Sequence, residues 1–397
     1  MIDNALLRST AKKYEGDMVR FARDLVAIPS FSCQEGPLVA RIKKEMLKVG
    51  FDQVKVDRMG NIIGRIGNGR TKIMVDAHID TVGIGDRKAW KWDPFKGKLE
   101  GGKIYGRGAT DQKLSMVSMV YAGKILKELG LVADFTYWAV GSCMEEDCDG
   151  LPLLHLIQKE GYKPDYVVIT EPTNLAVYRG HRGRMEIKVV TKGRSCHASA
   201  PERGINAVVH MSEIVKEVTA LDKRLKKDKF LGKGTVAVTK IECQTPSLNA
   251  VPDECTIYLD RRLTAGETMK LAVSQIAALP SVRRHKAKVE VLHYDAVAWT
   301  GLKVGQEKYF PTWVLPESHK LVRAAVKAGR AALKAEPKVD KWVFSTNGVA
   351  SAGRLGIPTV GFGPSDEVYA HTVNEFMPVD HLVKAAVFYA SITQHLA

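Results

Sequence analysis

The chain has 397 residues, 45% hydrophobic and 26% charged, the balance of a globular protein with room for two or three domains. No apolar run reaches the roughly 20 residues of a membrane-spanning helix, and the charged N-terminal stretch lacks the apolar core of a secretory signal, so a membrane role is excluded and a cytoplasmic one expected. The net charge is +15, but in the most basic region, 179–240, acids are interspersed and no aromatic series accompanies them, which favours a solvated basic face over a nucleic-acid interface.

Two helices are predicted first. In "GDMVRFARDLVAI", Met18, Phe21, Ala22 and Leu25 share one face, and "GPLVARIKKEMLKVGF" repeats the pattern before stopping at Gly50. Short strands follow at "QVKVD", "NIIGRIG" and "KIMVDAH", the last apolar enough to be buried on both faces of a sheet. A helix is predicted from about Gln112 to Gly130, then a strand, "DFTYWAVGSC", a helix, "LPLLHLIQKE", and a strand, "DYVVIT". This alternation predicts an α/β fold, a mostly parallel mixed sheet covered by helices.

Near Tyr178 the pattern changes. A strand, "GRMEIKVVTKG", a helix, "GINAVVHMSEIVKEVTAL", two strands, "GTVAVTKIEC" and "ECTIYLDRRL", a helix, "GETMKLAVSQIAAL", and a strand, "AKVEVLHYD", follow in turn. That order is a ferredoxin-like α+β arrangement. The expected organisation is one domain made of residues 1–178 and 299–397, interrupted by an inserted domain at 179–298. The six cysteines form no Cys-x-x-Cys pair, so reduced thiols are expected and a thiolate zinc site is not.

Chemistry-bearing residues gather at predicted strand ends, where open α/β sheets place reactive groups. In "VDAHIDTVGIGD", His78 ends an apolar strand, Asp80 can orient its imidazole, and Gly83 and Gly85 allow a sharp turn. Asp111 ends "GRGATD" at a helix start, where the helix dipole favours a carboxylate. Glu145 and Glu146 follow a strand in "CMEEDCDG", Glu171 follows one in "TEPT", and His371 lies in the loop "GFGPSDEVYAHTVNEF". Any one of these has an ordinary surface explanation; two histidines and four acids together suit zinc, or cobalt or manganese less selectively. They suffice for two ions about 3.5–4 Å apart and one general base.

The motifs "AHIDTV", "GRGATD", "MEED", "TEPT", "SCHASAPERGINA" and "AHTVNE" resemble, in order and over essentially the whole chain, the acetylornithine deacetylase / succinyl-diaminopimelate desuccinylase / carboxypeptidase-G family of two-zinc metallohydrolases. "EEDCDG", "YRGHRGRMEI" and "PERG" are most similar to its selenium-metabolism hydrolase subgroup. The resemblance implies that His78 and Glu171 hold one zinc, Glu146 and His371 the other, and that Asp111 bridges them. It implies Glu145 as general base and Asp80 as the group orienting His78. It further implies that the inserted domain is a lid and homodimerisation surface, with His197 reaching the partner subunit's site to stabilise the oxyanion and Asn249 and Arg262 contacting substrate. Adjacent Arg261 leaves the last assignment open.

Two stretches depart from the family pattern: Lys113-Leu114-Ser115 stands where Lys-Gly-Gly is usual, and "FSTNG" places Asn347 where an aspartate is frequent, in a loop that borders the substrate in the family. The implied reaction is hydrolysis of an amide in an N-acyl amino acid or short peptide, with a ureido or carbamoyl compound as the alternative substrate and nucleic-acid binding as a remote one. Arg179, Arg182, Arg184 and Arg262 are candidates for a clamp on a substrate carboxylate.

Overall fold

The computed structural model describes residues 3–132 and 134–396. Side-chain alternation explains its central sheet. In the strand Thr71–His78, Ile73, Val75 and Ala77 enter one apolar cluster while Met74 enters another on the opposite face. The strand Phe135–Ser142 divides the same way, Phe135, Tyr137 and Ala139 against Trp138 and Val140. Apolar residues at both parities are what a strand covered on both faces requires.

These two strands pair in parallel. Thr71–His78 also pairs in parallel with Tyr166–Ile169, which pairs in parallel with Thr359–Gly361. Antiparallel strands flank this centre: Gln53–Val56 and Ile62–Ile66 on one side, Val177–His181 and Trp313–Val314 on the other. With Val339–Trp342 the mixed sheet has nine strands.

The helices Asn4–Lys13, Glu15–Ala27, Gly36–Val49, Ser115–Glu128, Lys320–Leu333 and Val379–Thr393 pack into the larger cluster on one face. Leu153 and Leu156 of the helix Leu151–Gln158 pack on the other. Gly36–Val49 carries Pro37 in its first turn and ends at Gly50 in the left-handed region, φ +90°, the expected asymmetry of helix start and stop. Among the described residues no helix is long and apolar enough to cross a membrane.

A second sheet runs in the order Thr235–Gln244, Glu254–Leu263, Gly183–Lys192, Lys288–Val291, all pairings antiparallel. In chain order these are strands two, three, one and four, the ferredoxin-like order. The helices Ala207–Asp222 and Met269–Ala277 supply Met211, Ile214 and Ile276 to a cluster of its own with Ile187, Val189, Ile257 and Leu259. Tyr309–Phe310 adds to this sheet before Trp313–Val314 rejoins the first.

Three expectations need correction. A helix, Asn4–Lys13, precedes the two predicted; it buries only Leu7, Thr10 and Ala11, too few apolar positions to register as a periodic face. The helix predicted from Gln112 begins at Ser115, because residues 112–115 form a tight turn in which Ser115 N donates to Gln112 O. The strand read over 287–295 divides: Lys288–Val291 joins the second sheet, whereas His293–Val297 pairs with Lys303–Glu307 in a separate hairpin.

Candidate active site

Parallel strands bring their C-terminal ends to one edge. His78 is the last residue of its strand, Glu145 and Glu146 follow Phe135–Ser142, Glu171 follows Tyr166–Ile169, and the loop carrying His371 follows Thr359–Gly361. Asp111 enters from the turn before Ser115–Glu128. Two glycines allow the approach. Gly363 lies where a Cβ would sit 2.0 Å from the Glu171 carbonyl, and Gly108, φ +79°, where one would strike Lys113 and Thr81 at 2.7 Å. Gly83 and Gly85, by contrast, face open space; the Asp80-to-Asp86 turn uses the +64° φ of Gly85, not a close backbone approach.

The six strand-end residues converge. Nε2 of His78 lies 2.9 Å from Oδ1 of Asp111, 3.6 Å from Glu171 and 3.9 Å from Glu145. Nε2 of His371 lies 3.2 Å from the other oxygen, Oδ2, of Asp111 and 3.0 Å from Glu146. His78, Glu145 and Glu171 form one group with the spacing of metal ligands, and His78, Asp111 and Glu146 a second.

The ring nitrogens give a chemical test of fit. Nδ1 of His78 is 3.0 Å from the Asp80 carbonyl oxygen. A carbonyl only accepts, so Nδ1 carries the proton and Nε2 turns its lone pair toward the carboxylates. Ionised carboxylates also only accept. The Nε2–Asp111 contact therefore needs a second proton on the ring or a cation between the groups, and imidazole with carboxylate is a donor set that divalent metals take.

Asp80 thus orients His78 chiefly through its backbone carbonyl, its carboxylate being 3.4 Å from Nδ1. That carboxylate instead accepts from the backbone N–H groups of Glu145 and Glu146, both at 3.1 Å, and from Ser32 Oγ at 2.7 Å. One side chain so fixes the turn carrying both glutamates against the strand carrying His78.

The charges are strained without a cation. Burial pushes Glu145 well above the ordinary carboxylate range, against the pull of His78 and with Asp149, Glu171 and Glu146 adding to the push. Burial, then Asp111, does the same to Glu171. His371 is pushed up to about 10 by its hydrogen bonds to Asp111 and Glu146. Asp111, though buried, is held well below its usual range by His371 and His78. Protons and divalent cations are alternative means of neutralising such a cluster.

A cavity of about 290 Å³ opens onto these residues and is also lined by Asp149, Arg184, Arg262, Phe344, Ser345 and Glu367. Asp149 pairs with Arg184 at 3.2 Å and accepts from Ser345. Sequence reasoning named none of Asp149, Phe344, Ser345 and Glu367 individually, although "CMEEDCDG" holds Asp149, "FSTNG" holds Phe344 and Ser345, and the His371 loop holds Glu367.

The clamp of four arginines is not assembled. Arg179 donates to the Leu315 carbonyl and stacks over Phe230. Arg182 donates to the carbonyls of Lys233 and Val343. Only Arg184 and Arg262 reach the cavity, each already facing a carboxylate, Asp149 and Asp260. Alternation separates Arg261 from Arg262: Arg261 points inward and pairs with Glu267, both fully buried, and Arg262 lines the cavity.

Asn347 does not border the cavity but lies buried beneath it. Its Nδ2 donates to Asp76 and Ser142, both at 2.8 Å, and its Oδ1 accepts from Gly150 N at 2.8 Å; the bordering residues of this loop are Phe344 and Ser345. Lys113 is buried too, its Nζ donating to the Ile28 carbonyl at 2.9 Å. His197 and Asn249 lie on exposed loops of the second sheet's unit, side by side: Ala198 N donates to Asn249 O at 2.8 Å, and His197 bridges to Ala250. Neither lines the cavity of its own chain.

The sequence profile of Peptidase family M20/M25/M40 matches residues 74–395. The chain belongs to this family. A protein of Escherichia coli (strain K12) named "Uncharacterized protein YgeY" is 51% identical over 98% of the chain and 96% of its own length. A probable succinyl-diaminopimelate desuccinylase of Staphylococcus epidermidis (strain ATCC 35984) is 26% identical over 92% of the chain and 94% of its own. Among solved structures, the YXEP protein of Bacillus subtilis, a dinuclear metal-binding peptidase of the M20 family, superposes with a TM-score of 0.70 at 14% identity, covering 96% and 98% of the two chains. M20 membership makes the chain a hydrolase of amide or peptide bonds.

Proposed function

We propose that this M20 hydrolase uses two bridged divalent cations, zinc in the first instance and cobalt or manganese as substitutes, to cleave the amide of an N-acyl amino acid or short peptide. The observation that carries the reading is Asp111, whose two oxygens face two different histidines at 2.9 and 3.2 Å. His78 with Glu171 would hold one cation, His371 with Glu146 the other, and Asp111 both. When bound, the cations supply Lewis acidity, polarising the amide carbonyl and acidifying a water.

The chain's own residues do the rest. Among the described residues none donates a hydrogen bond to the Glu145 carboxylate, which faces the cavity, so it is free to take the proton of the attacking water and deliver it to the leaving nitrogen. Arg262 orients the substrate from the lid side. The inserted unit, expected at 179–298 but starting beyond the central-sheet strand Val177–His181 and extended by Tyr309–Phe310, acts as a lid and as the surface of a homodimer, through which His197 donates to the oxyanion in the partner's site and Asn249 contacts its substrate. Supporting that surface, Ile205, Val209, Ile241 and Leu248 of this unit are 41%, 53%, 56% and 103% exposed, apolar side chains that a second copy would cover. Six free cysteines suit action in the cytoplasm.

The test is metal analysis of the purified protein followed by a release assay across N-acyl amino acids, dipeptides and carbamoyl compounds. Two equivalents of metal per chain and metal-dependent release from acyl amino acids or dipeptides are expected. Hydrolysis confined to carbamoyl compounds would move the substrate class, and a protein that binds no metal would end the reading.

A further inference from the structure

His78 and His371 are held very differently. His78 ends a central strand and its side chain is 2% exposed, whereas His371 sits in a loop at φ +60° with its side chain 53% exposed. Neither His371 nor Asp111 lies in a strand, and the nearest strand pairing between their segments, Phe376–Pro378 with Lys103–Tyr105, starts five residues beyond His371, yet a shared cation would require their separation to be set within a few tenths of an ångström. Something outside the ligand set must hold the two loops together.

Glu375, four residues beyond His371, is fully buried and reaches across to the Asp111 loop. Its Oε1 accepts from Arg107 Nη1 and from Gly108 N, each at 2.7 Å. Its Oε2 accepts from Thr110 N at 3.1 Å and from Asp111 N itself at 3.3 Å. Arg107, 2% exposed, completes the tie from the other side, its Nη1 also donating to the carbonyl of Thr372 beside His371 at 3.3 Å. Backbone pairing continues the contact: Gly106 N donates to Glu375 O, and Phe376 and Met377 pair with Tyr105 and Ile104.

We infer that Arg107 and Glu375 are positioning residues of the metal centre, a staple that sets the distance between the bridging carboxylate of Asp111 and the imidazole of His371; the inference rests on the proposed ligand roles of those two. A buried ion pair is a poor device for stability alone, since a well-packed apolar replacement serves as well or better. What this pair does that an apolar contact could not is bond, through one carboxylate, four donors along the loop that ends at Asp111. Removing it leaves both ligands in place and their spacing loose.

The experiment compares wild type with the double variant Arg107→Met, Glu375→Gln, which removes the charge pair without leaving one member unpaired. Zinc affinity is read by competition with a chromophoric chelator, coordination by the visible spectrum of the cobalt-loaded protein, and folding by thermal melting. The expected result is a melting curve close to wild type, affinity for one of the two zinc ions weaker by about 10–100-fold, and an altered cobalt spectrum. A folded double variant with wild-type affinity and spectrum overturns the inference. If the double variant does not fold, Arg107→Lys is read the same way, because it keeps the charge but not the reach to both Glu375 and the Thr372 carbonyl; unchanged affinity there is equally fatal. A wild-type protein that takes up no zinc would sink the ligand assignment first, whereas normal wild-type uptake with unaltered variants sinks only the staple.

Discussion

The strand-end cluster and the loops bearing His197 and Asn249 stand in opposite surroundings. His78, Glu145 and Glu171 are buried, and their places are fixed by three parallel strands and by the hydrogen bonds of Asp80. His197 and Asn249 are exposed, bonded through their side chains to Ser199 and Ser247 of their own loops, and do not line the strand-end cavity. Under the proposed roles, a single chain would supply the ligand set and the base and lack one oxyanion donor, which a second copy would provide.

The sharpest way to break that comparison is Glu145→Gln. The amide keeps the shape and the backbone N–H bond that residue 145 donates to Asp80 but cannot take a proton, so turnover should fall by about 10²–10⁴-fold while metal content, measured by elemental analysis, stays at the wild-type level. Activity surviving the change would move the base elsewhere, with Asp149 the nearest alternative.

His197→Ala probes the other region. Loss of one oxyanion donor should lower kcat by about 10²–10³-fold with metal content and KM little changed. Mixed with Glu145→Gln and allowed to exchange subunits, it should regain about a quarter of wild-type turnover, from hybrid dimers in which one intact site borrows the partner's His197. Mixtures as inactive as their components would place His197 outside the chemistry.

Metal removal separates the regions by stability. The cluster gathers four carboxylates on two histidines, so each cation that binds it should stabilise the chain by about 4 kcal/mol at a thousandfold excess over its Kd. Chelation should lower the melting temperature and zinc should restore it. The effect should be confined to the strand-end domain, with hydrogen exchange in Gly183–Lys192 and Glu254–Leu263 unmoved.

The same contrast explains what could be read from the sequence. The α/β class, the ferredoxin-like strand order and His78, Glu145, Glu146 and Glu171 were legible because each rests on local pattern, alternation within a strand or a polar residue close after an apolar run, whereas Asp111 and His371, in a turn and a loop, were marked by the motifs "GRGATD" and "AHTVNE". Asp149 was half legible, one turn past Glu145. Glu367, Phe344 and Ser345 could be placed only as far as their loops, the one that carries His371 and the one that reads "FSTNG", because which side chains of a loop face the cluster depends on how the loop settles after folding. Asn347 misled for a related reason. Its family position suggested contact with substrate, but a buried Asp76 needs a donor, and an amide bonding Asp76, Ser142 and Gly150 together satisfies three buried polar groups at once. Arg179 and Arg182 likewise looked available to a ligand until backbone carbonyls were found to occupy them.

The adjacent arginines of "LDRRL" offer the finest discrimination, since one belongs to each kind of surrounding. Arg261 and Glu267 are both fully buried, so Arg261→Ala leaves an uncompensated carboxylate inside the second core and should cost about 3–5 kcal/mol, seen as a large drop in melting temperature. Arg262 faces the cavity and is partly exposed, with Asp260 on a flank that can rehydrate. Arg262→Ala should leave the melting temperature within a degree or two and raise KM by about tenfold for substrates carrying a carboxylate, while amidated analogues, which offer the guanidinium no charge, show no change. A rise in KM for both classes would make Arg262 a prop for the lid, not a contact to the substrate. Opposite phenotypes at neighbouring positions follow from the period of a β-strand alone, because one residue of register decides which arginine meets the core and which meets the ligand.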